Sequence, residues 1–229
     1  MFRVAVYTLT RDRLDYTRRS FDSLKAKAGY PYDHYIVDNG SVDGTADWLK
    51  AHESEFAGVI YNAENQGISI ASNQALNMIL FEPGKYQLII KMDNDCEVES
   101  EGIIQQIVEM YQSLGEFSPK YILSPYVNGI NNQPTRGRFD HIAGRKVGFT
   151  GIVGGLFHIV PASVYAVYKF PDTLPKAKGQ DDHFCHWFKS NGGELGYIEG
   201  LFVCHMDGTD KQAQVYPEYF KRKWEEEKL

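Results

Sequence analysis

A chain of 229 residues fits one α/β domain, and a hydrophobic content of 43% is enough for a sizeable core. Its 30 acidic and 24 basic residues leave a formal net charge of −6, which argues against gripping nucleic acid through bulk electrostatics and leaves only a local basic patch for that work. Three cysteines, Cys96, Cys185 and Cys204, show an odd count and no C-x-x-C spacing, so a disulfide framework is not expected and a reducing, cytoplasmic compartment is.

The opening MFRVAVYTLTRDR has a short apolar run with arginine on both sides and no small-residue cleavage site. It reads as a first strand, not a signal peptide. DYTRRSFDSLKAKAG follows with helix-compatible spacing and a terminal glycine. HYIVDNGS is a second strand ending in turn residues, and the helix in SVDGTADWLKAHESEF carries Trp48 and Leu49. GVIYNAENQG reads as a third strand, ISIASNQALNMILFEPG as a helix stopped by Pro83-Gly84, and YQLIIKMDND as a fourth strand. Four β-then-α steps built on nearly continuous apolar strands predict a mostly parallel sheet with helices on both faces.

Beyond residue 115 the pattern loosens. KYILSPYVNG is another strand, NNQPTRGRFDHIAGRK is polar and irregular, and GFTGIVGGLFHIVPASVYAVYK reads as loop, strand and short helix. QDDHFCHWFKSNGG is a helix ended by glycines, GYIEGLFVCHMDG a strand or strand pair, and YPEYFKRKWEEEKL a charged, exposed helix. No repeat, linker or low-complexity tract appears, and no apolar segment approaches the roughly 18 residues that span a bilayer. A single soluble domain over 1–229 is expected.

The chemistry concentrates at strand ends. In open α/β sheets ligands bind outside the carboxyl ends of the strands, and the fourth strand runs straight into Asp93-Asn94-Asp95. Two carboxylates so close repel unless a cation or proton intervenes, and a hard divalent ion shared with phosphate and water resolves the conflict. A surface turn with two helix-capping acids is the other reading. Asp38, in VDNGSVDGT, stands where it can bond a base or ribose, or can make an Asx turn with Asn39-Gly40. Asn65 and Gly67, in ENQGISIASNQAL, precede a helix whose amino end favours phosphate, or form a plain capped loop.

Together YTLTRDR, VDNGSVDGT, NQGISIASNQAL, IIKMDNDCEV, TGIVGGLFHI, GQDDHFCHWFKSNGG and YIEGLFVCH resemble the family 2 glycosyltransferases of the GT-A fold, in family order over most of residues 3–205. The resemblance implies a Rossmann-like, mostly parallel central sheet flanked by helices, with a smaller acceptor-side subregion. It divides the chain into a nucleotide-sugar half (1–98), an acceptor and catalytic half (99–208) and a charged tail (209–229). It implies inverting transfer of a sugar from a nucleotide-sugar, UDP-linked, to an acceptor hydroxyl, with Mn²⁺ or Mg²⁺. By the same resemblance Asp95 and His205 hold the ion, Asp93, Thr8, Arg11, Asp38, Asn65 and Gly67 line the nucleotide-sugar pocket, Gly154 and Gly155 approach the sugar, and Asp181 is the catalytic base.

Departures from the family pattern narrow this further. Gln180 stands where the family commonly has an acid, and Trp187 replaces a frequent arginine, to stack on a sugar or to serve as helix core. The QxxRW motif of processive synthases is missing, which favours single-sugar transfer. Arg136, Arg138, Arg145 and Lys146 form a basic cluster that suits an anionic acceptor (glycan, lipid-linked, protein or nucleic acid) or a solvated loop. The glycine-rich stretch 133–155 around them is suited to a lid that orders over the donor. Two other classes stay open: a nucleotidyltransferase, disfavoured because TLTRDRLDY lacks a glycine-rich triphosphate loop, and a catalytically silent sugar- or partner-binding module.

Overall fold

The computed structural model describes residues 2–129, 137–176 and 178–226. Strands β1 (Val4–Thr10), β2 (Asp33–Asn39), β3 (Gly58–Asn62) and β4 (Leu88–Met92) pair in parallel in the order β3-β2-β1-β4. Helices α1 (Leu14–Lys27), α2 (Thr45–Ala51) and α3 (Ile68–Ile79) lie between successive strands, as parallel pairing requires. Helix α3 buries Ala71, Ala75, Leu76 and Ile79, one apolar stripe. All four strands end at one sheet edge, so β4 delivers Asp93 into the crevice there.

The remaining elements are β5 (Cys96–Val98), α4 (Ile103–Leu114), β6 (Tyr121–Asn128), β7 (Phe139–Ile142), β8 (Arg145–Thr150), β9 (Phe157–Pro161), α5 (Ala162–Tyr165), α6 (Gln180–Ser190), β10 (Glu194–His205), α7 (Thr209–Val215) and α8 (Pro217–Glu226). They extend the same sheet as β9-β6-β10-β8-β7, with β9 antiparallel to β4 and β6, and β10 parallel to β6. The second half of the sheet is therefore mixed. β10 is one long strand whose register shifts between Ile198 and Phe202, next to Gly200 at φ 86°. Before that bulge it pairs with β8, and after it with β5, which sets His205 opposite Cys96.

Three sequence expectations change here. First, the described part of the irregular stretch contains a hairpin: Ala143 and Gly144, both at positive φ, form a two-residue turn between β7 and β8. Phe139, Asp140 and His141 of β7 are all exposed, so no alternation marks it. Second, the described basic residues of this stretch are each engaged by a different partner. Arg138 pairs with Glu194 at 3.0 Å and stacks on Phe149, Lys146 pairs with Glu199 at 3.0 Å, and Arg145 donates to Gln106 at 2.7 Å. Arg136, with the rest of 133–136 at the start of the expected lid, lies outside the described residues. Third, the charged tail is not a free surface helix, because α8 buries Phe220 and Tyr219 against the body of the protein. Among the described residues no helix is long and apolar enough to cross a membrane.

Helix α6 is anchored by an aromatic cluster. Phe184 is fully buried, with ring centroids at 5.2 Å from Tyr165, 4.6 Å from Tyr168 and 5.6 Å from Phe170. Trp187 joins the same cluster, 4.7 Å from Tyr168, so its ring packs as helix core. Removing the Phe184 ring leaves a void that this rigid cluster cannot close. Phe184→Ala should cost about 3–5 kcal/mol in urea unfolding. Phe81→Ala, at a position 84% exposed, should stay within about 0.5 kcal/mol. Equal losses at the two positions would contradict this packing.

Candidate active site

A polar cavity of about 450 Å³ opens at the carboxyl edge of the sheet. Its walls come from the ends of β1, β4 and β10, the starts of α3 and α6, and the helices α7 and α8. A larger hollow of about 770 Å³ lies at the opposite edge, lined mainly by apolar groups such as Leu80, Tyr86 and Pro161, with Glu82 its one acid among the described residues. Size favours the hollow, but chemistry favours the cavity, which gathers Asp93, Asp95, Asp181, Asp182 and His205 with Arg11, Arg13, Lys91, Lys176, Lys178 and Lys223.

Asp95 is the most constrained of these acids. Its Oδ2 accepts from Arg13 at 2.8 Å and from the Gln212 amide at 3.1 Å, and stands 3.5 Å from His205 Nε2. The Arg13 guanidinium also donates to Asn94 and Gln212, both at 2.7 Å, and lies over the Tyr219 ring. Burial is the largest single influence and opposes ionisation of Asp95, but Arg13, His205 and the Gln212 amide together outweigh it and bring the carboxyl down to about 2. Arg13 and Asp12 both hold left-handed backbone, at φ 61° and 52°, a conformation that costs non-glycine residues. The surroundings impose it: Asp12 accepts from the Val42 amide at 2.7 Å and pairs with Arg222 of α8, while its own amide donates to Ser41.

Asp93 keeps 37% of its side chain exposed toward the cavity while accepting from Lys91 Nζ at 2.7 Å. Asp181 sits in the first turn of α6, where the helix dipole favours a carboxylate. Its Oδ2 accepts from the Gly155 amide at 2.8 Å, and a Cβ at position 155 would overlap that carboxylate. A side chain at position 155 would therefore have to displace the Asp181 carboxylate. Gln180 is buried and donates to the Pro175 carbonyl at 2.7 Å, so it ties down the loop before α6.

The other expected residues divide. Arg11 and Asn65 line the cavity. Asn65 Oδ1 accepts from the Asn39 side chain at 2.8 Å and the Gly67 amide at 3.0 Å. Gly67, at φ 87°, admits the chain at Lys176, whose carbonyl takes the first amide of α3 at 2.9 Å. The close approach expected at Gly67 is therefore between two loops. Gly154 donates its amide to Tyr197 and has open space where a Cβ would stand. Asp38 is buried behind the wall, accepting from Thr10 at 2.8 Å and from the Ser41 amide at 3.1 Å. Thr8 is deeper still, its hydroxyl 3.0 Å from His34 Nε2.

Asp95 and His205 suit a divalent ion held jointly with a ligand. Two donors on one such ion stand about 3 Å apart for bonds near 2.1 Å, close to the 3.5 Å seen here. His205 Nδ1 is buried without a hydrogen-bond partner. Among the described residues no group of three or more His, Cys, Asp or Glu forms a complete cage. Ligand oxygens and water would have to complete the coordination, in competition with Arg13 and Gln212 for the same carboxylate oxygen.

The model for glycosyl transferase family 2 matches residues 5–167, more than half of the chain. The chain belongs to glycosyl transferase family 2. It is 29% identical over 117 residues to TuaG of Bacillus subtilis (strain 168), named as a glycosyltransferase of teichuronic acid biosynthesis, a match covering 50% of this chain and 44% of that protein. The match thus spans less than half of the relative's length. Among solved structures the chain is similar to S. aureus TarS (TM-score 0.66, 14% identity, 93% of this chain and 38% of that one). It is also similar to the mannosyltransferase PcManGT of Pyrobaculum calidifontis solved with GDP-Man and Mn²⁺ (0.63, 13%, 96% and 64%). GalNAc-T7 with UDP, GalNAc and Mn²⁺ is a further likeness (0.68, 12%, 90% and 44%). These likenesses show the GT-A fold.

Within this family 2 domain, sequence reading missed Arg13, Lys91, Gln212, Tyr219 and Lys223. For α8 a signal existed: Tyr219 and Phe220 precede Lys223 by four and three residues, the spacing of one helix face. His34, beneath Thr8, supplies a measurable consequence. Burial among Phe21 and Phe56 lowers its pKa from 6.5 to about 3. The folded protein holds it neutral and the unfolded chain takes up a proton below pH 6.5, so its stabilisation is complete above that pH and is lost as pH falls toward 3. Urea unfolding at pH 7 and pH 5 should show a loss of about 2 kcal/mol from this group, absent in His34→Gln. Equal pH slopes for both proteins would contradict that role.

Proposed function

We propose that this domain is an inverting glycosyltransferase that moves a single sugar from a nucleotide-sugar, UDP-linked, to an acceptor hydroxyl. The observation that carries the reading is the separation of two kinds of carboxylate in one cavity. Asp95 is locked among Arg13, Gln212 and His205, whereas Asp181 is held by a neutral backbone amide at the start of α6. The bound UDP and UDP-GlcNAc of TarS structures, and the GDP-Man of PcManGT, support a nucleotide-sugar as the ligand.

In this reading Asp181 accepts the proton of the acceptor hydroxyl. The acceptor oxygen attacks the anomeric carbon while the bond from that carbon to the diphosphate oxygen breaks on the opposite face, which inverts the centre and releases nucleoside diphosphate. General-base assistance of this kind contributes roughly 10²–10⁴ in rate. The cationic wall formed by Arg11, Arg13, Lys176, Lys178 and Lys223 receives the charge growing on the diphosphate. In the same reading Asp93, whose side chain is partly open to the cavity, accepts from a sugar hydroxyl. Asp95 and His205 would hold Mn²⁺ or Mg²⁺, which supplies Lewis-acid stabilisation of the phosphate oxygens.

Release of nucleoside diphosphate from a panel of nucleotide-sugars with Mn²⁺ tests the reading directly, and also separates it from a nucleotidyltransferase and from a silent binding module. Asp181→Asn should keep donor affinity within about two-fold while transfer falls roughly 10²-fold or more. Asp95→Asn should weaken donor binding and turnover together. Normal transfer by Asp181→Asn would move the base elsewhere, and full activity in excess chelator would remove the ion from the scheme.

A further inference from the structure

Lys91 is the one charged residue in β4, whose sequence is otherwise LII before it and Met after. An ammonium is stable at a buried strand position only when it is paired and hydrogen-bonded. Lys91 is nearly enclosed, and its Nζ donates to Asp93 Oδ1 at 2.7 Å and to the Gly155 carbonyl at 2.6 Å. Burial opposes its charge, but Asp93 and Asp181 outweigh that and raise its pKa, so it remains a cation. The backbone explains how the contacts arise. Residues 91 and 93 stand on one side of the strand, and the pairing of β4 with β9, continued by the bond from the Asp93 amide to the Leu156 carbonyl at 3.0 Å, brings position 155 alongside.

Gly155 connects two acids. Its carbonyl takes the Lys91 ammonium, while its own amide donates to Asp181 Oδ2 at 2.8 Å. We infer that Lys91 is a positioning residue: through Asp93 and Gly155 it holds the sugar-facing carboxylate and the base in one fixed frame. This rests on the glycosyltransferase reading and adds the means by which donor and acceptor chemistry are kept in register. A purely structural ion pair would stabilise the fold and leave the ratio of binding to turnover unchanged. A positioning lysine makes turnover fall while the nucleotide end of the donor still binds, because a misplacement of about 1 Å can cost about 10²-fold.

The experiment is a double-mutant cycle on the full chain, with UDP-GlcNAc, UDP-glucose and GDP-mannose as donors, and with calorimetry of UDP and GDP. Lys91→Met should lower kcat by about 10–100-fold, keep the Kd for the nucleoside diphosphate within about two-fold, and shrink the preference for nucleotide-sugar over nucleoside diphosphate. On an Asp181→Asn background the same substitution should cost clearly less turnover than in the wild type, since the base it positions is already gone and only the Asp93 contact remains to be lost. Gly155→Ala, whose added Cβ meets the Asp181 carboxylate while the backbone carbonyl that Lys91 uses is retained, should reproduce the kcat loss and serves if Lys91→Met does not fold. A wild-type kcat in either single variant, or losses that multiply fully with Asp181→Asn, would overturn the inference while the glycosyltransferase reading stands. A wild-type protein that binds and turns over none of the donors would instead overturn that reading, and this inference with it.

Discussion

Crowding carboxylates at one sheet edge is the constraint on which the rest of the site depends. Asp93, Asp95 and Asp181 face a single cavity, and like charges at such range cannot coexist in a poorly solvated wall without compensation. Two buried cations provide it from different directions. Lys91 comes from within β4 and Arg13 from the loop after β1, and both are held by several hydrogen bonds. Arg13 makes this contact from a turn in which it and Asp12 both adopt left-handed backbone. The strained turn, the buried lysine and the glycine at 155 are therefore parts of one solution to one electrostatic problem.

That solution recruits distant chain. Gln212 of α7 shares Arg13 and Asp95, Arg222 of α8 pairs with Asp12, and Tyr219 lies under the guanidinium. The carboxyl-terminal helices thus form a wall of the cavity. An ion held between Asp95 Oδ2 and His205 would share an oxygen already accepting two hydrogen bonds, whereas Asp93 and Asp181 are tied through side chain and backbone groups.

Much of the parallel half could be read directly. LIIKM followed by Asp-Asn-Asp is a buried strand that stops at charged turn residues, and the same signature marks β1 and β2. Long-range pairing was less legible. β7 exposes three of its four residues, so it shows no alternation, and the bulge in β10 depends on two different partners before and after it. Within the site, Asp93, Asp95, Asp181 and His205 could be found because acids and a histidine at strand and helix ends fit a family pattern. Arg13 could not, since its partner lies 82 residues away and nothing local records the contact. Lys91 was hidden differently: an apolar run with one lysine looks the same whether the amine snorkels to water or is buried among acceptors.

A crystal structure with a nucleotide-sugar bound addresses the central claim most directly, that the polar cavity is the donor site and its acids are divided by role. The diphosphate should lie against the cationic wall near Arg13 and Asp95, with the sugar between Asp93 and Asp181 and the Lys91–Gly155–Asp181 contacts intact. A nucleotide bound in the apolar hollow at the opposite sheet edge, or a sugar out of reach of both Asp93 and Asp181, would contradict it.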